Sequence, residues 1–185
     1  METTLHLTRT ELEAGLDHIR QSPREAGVIQ MIVRRPAVDE REVVVVGELN
    51  LEVGLVGDSW TQRPSKTTPD RSPSLQAQVT LMNSRAIALI AQSEDRWPLA
   101  GDQFYVDLDL SVENLPAGTQ LRLGSAIIEI SAQPHTGCAK FSQRFGVEAH
   151  KFVNSKVGSP LRLRGVNARV VQAGTVRVGD VVTRA

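Results

Sequence analysis

The 185-residue sequence has a single cysteine, Cys138. That excludes an internal disulfide and a multi-cysteine zinc site, and it confines any cysteine chemistry to one thiol. A surplus of either charge is missing too. Its 21 Lys and Arg residues are balanced by 21 Asp and Glu residues. A dedicated nucleic-acid binder carries an excess of basic residues, so no nucleic-acid partner is expected. No apolar run approaches the ~18 residues of a membrane span, so no membrane association is expected. The opening stretch METTLHLTRTELEAG lacks an apolar signal core, which leads to an expectation of a cytoplasmic protein. The chain also lacks a Gly-x-Gly-x-x-Gly or Walker-type phosphate loop, internal repeats and a low-complexity tail.

What remains is the composition of one ordinary globular domain, with 41% hydrophobic residues. Thr8 followed by Glu11 forms a capping-box pattern ahead of Leu12, Leu16 and Ile19, and Pro23 stops that helix. Short β-branched runs at 28–33 and 43–46 read as strands, and 78–82 as another. Asn83 or Ser84 is placed to cap a helix that ends before Pro98. Between 62 and 74 lie Pro64, Pro69, Pro73 and several Ser and Thr residues. That segment reads as an exposed loop and a candidate lid.

In 103–110, Phe104, Val106, Leu108 and Leu110 alternate with Gln103, Tyr105, Asp107 and Asp109, the period of a half-buried strand. Further strands are expected at 119–123, 126–130, 161–164, 168–172 and 175–182, with helices at 139–145 and 147–153. Many short strands with few helices between them point to a closed or strongly curved β structure. Most connections are too short for parallel βαβ units.

The segment Pro134-His135-Thr136-Gly137-Cys138-Ala139-Lys140-Phe141 follows a strand and precedes a helix. Cys138 therefore falls near a helix start, with Lys140 two residues away and His135 three. A helix N-terminus and nearby cations both favour the thiolate. A thiolate can attack sulfur, carry a persulfide or bind a soft metal. The alternative is a lone cysteine acting as a small buried hydrophobe. His135 and Cys138 have the spacing of two zinc ligands, yet no further cysteine stands near them. Lys140 and Arg144 share a helix face. With Arg162, Arg164 and Arg169 they make 134–169 strongly basic inside a neutral chain. As a set they are suited to cradle a phosphate, and one by one they are suited to solvated surface positions.

Four pieces, in order, resemble the MOSC domain family, named after the C-terminal part of molybdenum-cofactor sulfurase. They are Gly57-Asp58 within 54–58, Glu113-Asn114-Leu115 at the end of 107–115, the stretch from Leu121-Arg122-Leu123-Gly124 to Cys138-Ala139-Lys140-Phe141, and Arg164-Gly165-Val166-Asn167-Ala168-Arg169-Val170 with Gly174 and Gly179-Asp180. The resemblance implies a mainly β, barrel-like fold with a few flanking α-helices over 28–185, with 1–27 as a helical segment packed on it. It implies that Cys138 is the catalytic residue, ligating molybdenum or carrying sulfur. It places a pterin-linked molybdenum cofactor against Lys140, Arg144, Arg164, Asn167 and Arg169. Some relatives reduce N-hydroxylated compounds, so a small-molecule substrate and a redox or sulfurase partner protein are implied. The family name is associated with pyridoxal phosphate, but the aminotransferase-like domain that binds it has no counterpart here, and pyridoxal phosphate is not expected. Where many relatives carry a His-Gly-Gly stretch, 63–75 is rich in Pro, Ser and Thr. The competing expectation is a non-catalytic module that binds the cofactor or another anion, with a structural cysteine.

Overall fold

The structure, a computed structural model, describes residues 5–185, so the first four residues of the expected 1–27 segment lie outside the described residues. Two short helices open it, α1 (Arg9–Ala14) and α2 (Leu16–Arg20). Thr8 and Glu11 form the expected reciprocal cap, and the helical run breaks at Gly15. A Cβ on Gly15 would stand 2.5 Å from Leu89 Cδ2, so the break lets the two segments press closely on the body.

The strands follow as β1 (Ala26–Arg34), β2 (Glu42–Val44), β3 (Val46–Asn50), β4 (Gly54–Leu55), β5 (Val79–Asn83), β6 (Phe104–Asp107), β7 (Gln120–Leu123), β8 (Ala126–Ile130), β9 (Val166–Gln172), β10 (Gly174–Arg177) and β11 (Val181–Arg184). Seven of them close into a barrel in the order β1-β11-β7-β8-β9-β5-β6, with β6 returning to β1. β2 extends from the far end of β1, and β10, β3 and β4 make a small second sheet. The pairings are antiparallel except β5 with β6. Those two are joined by α3 (Ser84–Ala91), capped by the Asn83 side chain on the amide of Ala86, and by a 3-10 segment, Glu94–Ala100. A parallel pair needs such a crossover, and this one carries a helix.

Three strand expectations need correction here, the first being 175–182, which splits at 178–180 into β10 and β11 of different sheets. The 43–46 valine run does not make one strand: it breaks at Val45 and feeds two different sheets. Residues 161–164 alternate Leu-Arg-Leu-Arg like a strand but form turns, with Arg162 at φ 50°. Arg162 Nη1 donates to the carbonyls of Leu110 and Leu115 and ties those turns to the chain after β6.

Strand alternation divides the apolar residues into two cores. Ile32, Leu81, Phe104, Val106, Leu121, Ile128 and Ala168 fill the barrel. Their strand neighbours Met31, Val33, Met82 and Tyr105 face outward, yet they are buried under a helical layer. That layer is α1, α2, α3, α4 (Ala139–Phe145) and α5 (Val147–Val153). The 103–110 strand is therefore not half-buried as its period suggested: Gln103 and Tyr105 are fully buried. Tyr105 Oη donates to the Trp97 carbonyl at 2.7 Å, satisfying the polar end of a buried ring. Among the described residues no helix is long and apolar enough to cross a membrane.

Candidate functional site

The site lies where the helical layer meets one end of the barrel. After β8 the chain runs through residues 131–138 into α4. Asn167, on β9, donates to the carbonyls of Gln133 and Pro134 at 3.1 Å each and holds that loop in place. The Gly137 peptide is clamped from α5: its amide donates to Asn154 Oδ1 at 3.0 Å, and its carbonyl meets His150 Nε2 at 3.1 Å. A Cβ on Gly137 would stand 3.0 Å from Asn154 Nδ2. Cys138 follows this clamp and caps α4 through its extended backbone, not its side chain. Its thiol is exposed, which removes the buried-hydrophobe reading. Among the described residues its sulfur forms no hydrogen bond.

Cys138 lines a cavity of about 610 Å³ with six cations, Arg35, Arg41, Arg63, Lys140, Arg144 and Arg164. Asp39 also lines it, and its Oδ1 accepts from Lys140 Nζ at 2.9 Å and from Arg144 Nη2 at 2.8 Å. The Lys140 hydrogen bond and charge hold the Asp39 carboxyl below the usual range. Asp58, with a fully buried side chain, binds Arg35 through both oxygens at 2.8 and 2.9 Å. Arg35 Nη1 adds a bond to the Gly101 carbonyl. Asp102, equally buried, accepts from Arg164 Nη1 at 2.5 Å and pairs with His135 Nε2 at 2.8 Å. Six cations against three carboxylates leave the cavity a surplus of three positive charges in a chain of zero net charge.

The buried cluster sets its own protonation. Burial alone would raise the pKa of Asp102; the Arg164 charge and the His135 and Arg164 contacts outweigh it, leaving the carboxyl at about 2. His135 is pushed down, first by burial and then by the Arg164 charge. The ionised Asp102 can only accept, so His135 Nε2 is the donor between them. Arg164 also lies over the Phe141 ring at 5.1 Å, and its Nε is buried without a partner. Gly165, at φ +113°, makes room for this packing: a Cβ there would stand 2.3 Å from the Leu81 carbonyl and 3.2 Å from the His135 ring.

His135 and Arg164 also line a second cavity of about 280 Å³, with Asn167 on its wall. Of the residues proposed from sequence, Cys138, Lys140, Arg144 and Arg164 are brought together in the larger cavity, and Asn167 stands in the smaller one. Arg169, also proposed from sequence, is not brought to either cavity. Strand alternation turns it outward between the buried Ala168 and Val170, and it pairs across the sheet with Glu129 at 2.9 Å. Asp102 and the wall made by Arg35, Asp39, Arg41, Asp58 and Arg63 went unseen in the sequence. Only the Gly57-Asp58 turn gave a signal, and it gave no partner.

Among the described residues no three of His, Cys, Asp and Glu are grouped to hold a bare metal ion. A cofactor that brings its own metal ligands needs one protein donor, an anion cradle and room. The exposed thiol, the cations Lys140, Arg144 and Arg164, the orphan Arg164 donor and the volume fit that requirement.

No curated protein matches the chain. Among solved structures, the YuaD protein from Bacillus subtilis is similar at 14% identity and TM-score 0.60, over 85% of this chain and 94% of that one. YiiM from Escherichia coli is similar at 17% identity and TM-score 0.55, over 85% of this chain and 69% of that one. YiiM from Geobacillus stearothermophilus gives 13% identity and TM-score 0.53, over 86% and 73%. At such identities these likenesses establish a shared fold. The MOSC domain model matches residues 69–183, from the proline-rich loop to the last barrel strand, and the chain belongs to the MOSC domain family.

Proposed function

We propose that the larger cavity holds a pterin-linked molybdenum cofactor, with Cys138 as the molybdenum ligand or sulfur carrier. One observation carries this reading: the only thiol of the chain stands exposed in the wall of a cavity lined by six cations. When bound, the cofactor would supply two-electron redox chemistry at its metal.

This chain's residues bind and orient. Lys140, Arg144 and Arg164 present donors for a phosphate, since charge-assisted bonds to an oxyanion are strong and directional. The Gly137 clamp fixes the position of Cys138. The Asp102 carboxylate holds His135 and Arg164 in one orientation, as a partner behind a functional side chain does. A thiol paired with histidine for acyl transfer is disfavoured, because His135 Nε2 is engaged by Asp102 and no base is hydrogen-bonded to the sulfur among the described residues.

Metal analysis tests the reading. Protein purified from cells with ample molybdate should carry stoichiometric molybdenum, and Cys138→Ala should lose most of it. Negligible molybdenum in both preparations would overturn the cofactor assignment. Reduction of an N-hydroxylated compound by the loaded protein, with an electron donor supplied, separates an enzyme from a binding module.

A further inference from the structure

The six cations of the cavity are not equivalent. Lys140 and Arg144 are held by Asp39, Arg35 by Asp58 and Arg164 by Asp102. Arg41 and Arg63 have no carboxylate within ion-pair reach among the described residues. Arg41 gives Nε to the Pro98 carbonyl at 3.0 Å and Nη1 to the Glu40 carbonyl at 2.6 Å, which leaves Nη2 without a bond. Arg63 makes a single weak contact, Nε to Ser59 Oγ at 3.4 Å, and neither Nη is bonded. Both side chains are half-buried.

Burial, and next the charge of Arg35, push Arg63 down to about 10; burial, then Arg144 and Arg35, lower Arg41. Cations gathered without counter-ions repel one another, and two planar guanidinium forks match the oxygens of one tetrahedral oxyanion. The surplus of three positive charges in the cavity favours a dianionic phosphate over a singly charged carboxylate.

We propose that Arg41 and Arg63 form a phosphate subsite for a phosphorylated small-molecule substrate, on the wall contributed by residues 35–64. This rests on the reading of the Cys138 cavity as a ligand site. Both arginines precede residue 69, where the family match begins, so the pair is a feature of this chain outside the matched segment. The cofactor has a phosphate of its own, and the test must tell the two sources apart.

Inorganic phosphate is titrated calorimetrically into the purified full chain, Arg41→Gln and Arg63→Gln, and the molybdenum content of each preparation is measured. Cooperative thermal melts confirm that the variants are folded. Losing a charge-assisted contact should weaken phosphate binding by about tenfold or more in each variant and flatten its salt dependence. Molybdenum content should stay at the wild-type level. No phosphate binding by the wild type, or wild-type affinity in either variant, overturns the subsite. A fall in molybdenum that tracks the fall in phosphate affinity also overturns it and gives the pair to the cofactor's own phosphate. If no preparation contains molybdenum while phosphate binding still needs both arginines, the cofactor reading fails and the subsite stands.

Discussion

The two walls of the Cys138 cavity hold their charges differently. On the wall made by 135–164, Lys140, Arg144 and Arg164 each meet a carboxylate. On the wall made by 35–64, Arg35 is clamped by Asp58, while Arg41 and Arg63 stand without one among the described residues. Behind each wall is a fully buried aspartate that fixes one arginine. In front of the 35–64 wall stand Arg41 and Arg63, with Nη2 of the first and both Nη atoms of the second unbonded among the described residues. The buried pairs belong to the fold, because a charge in the interior is tolerated only with its partner. The uncompensated cations form no ion pair in the fold, which leaves their charge free for a ligand.

The largest test of this contrast removes the buried carboxylates. Asp58→Ala strands Arg35, and Asp102→Ala strands Arg164 beside His135. Breaking a buried pair on one side costs about 3–5 kcal/mol. At about 2–4 °C per kcal/mol for a chain of this size, that is a melting-point drop of order 10 °C. Arg63→Gln should instead stay within about 0.5 kcal/mol of wild type, and Arg41→Gln should lose only about 1 kcal/mol with its bonds to the Pro98 and Glu40 carbonyls. Comparable losses in both groups, read from denaturant unfolding, would abolish the distinction between structural and ligand-facing cations.

Acid should dissect the first group further. The pKa of His135 is lowered in the folded chain, so below its ordinary ~6.5 the unfolded state binds more protons than the native one. The stability from this group is complete above that pH and is lost as pH falls. Asp102, at about 2 when folded, keeps its contribution above the ordinary ~3.9 and loses it on further acidification. The unfolding free energy should therefore decline in two stages. His135→Gln should remove the first, giving a flatter profile between about pH 6.5 and 5. An unchanged slope there in the variant would mean that His135 is charged in the native chain.

The two walls also differ in how far the sequence foretold them. Cys138, Lys140 and Arg144 fall within one strand-to-helix connection, and local spacing was enough to join them. The partners that give them their state are distant: 33 residues separate His135 from Asp102, 62 separate Arg164 from Asp102, and 101 separate Lys140 from Asp39. No periodicity carries such pairings. Barrel closure makes them, by bringing β1 and β6 side by side and folding α4 over their ends. The same closure explains Tyr105. Its strand was legible as alternation, but alternation cannot tell a face open to water from one covered by helices. At 161–164 the pattern misled outright, since Leu163 and Arg164 are both buried in a turn between the two cavities. The helices at 139–145 and 147–153 were read at their true bounds because Gly146 punctuates them.

The smallest expected effect decides whether position or bulk charge governs the 35–64 wall. Arg169 and Arg63 carry the same charge, and replacing either by Gln moves the neutral chain to a net charge of −1. Arg169 sits on the outer face of the barrel, 44% exposed and paired with Glu129, where such pairs contribute about 1 kcal/mol at most. Its loss should barely alter the melt. Screening at 0.1–0.15 M salt confines a charge to about 8–10 Å, so Arg169→Gln should leave phosphate affinity near the wild-type value. Arg63→Gln, with an identical change in net charge, should lower it about tenfold. Run at 0.15 M salt, the pair isolates contact from field. If both variants lose affinity equally, phosphate responds to the overall charge of the chain, and the contrast between the two walls has no functional content. If only Arg63→Gln loses it, the uncompensated guanidinium groups act by where they stand.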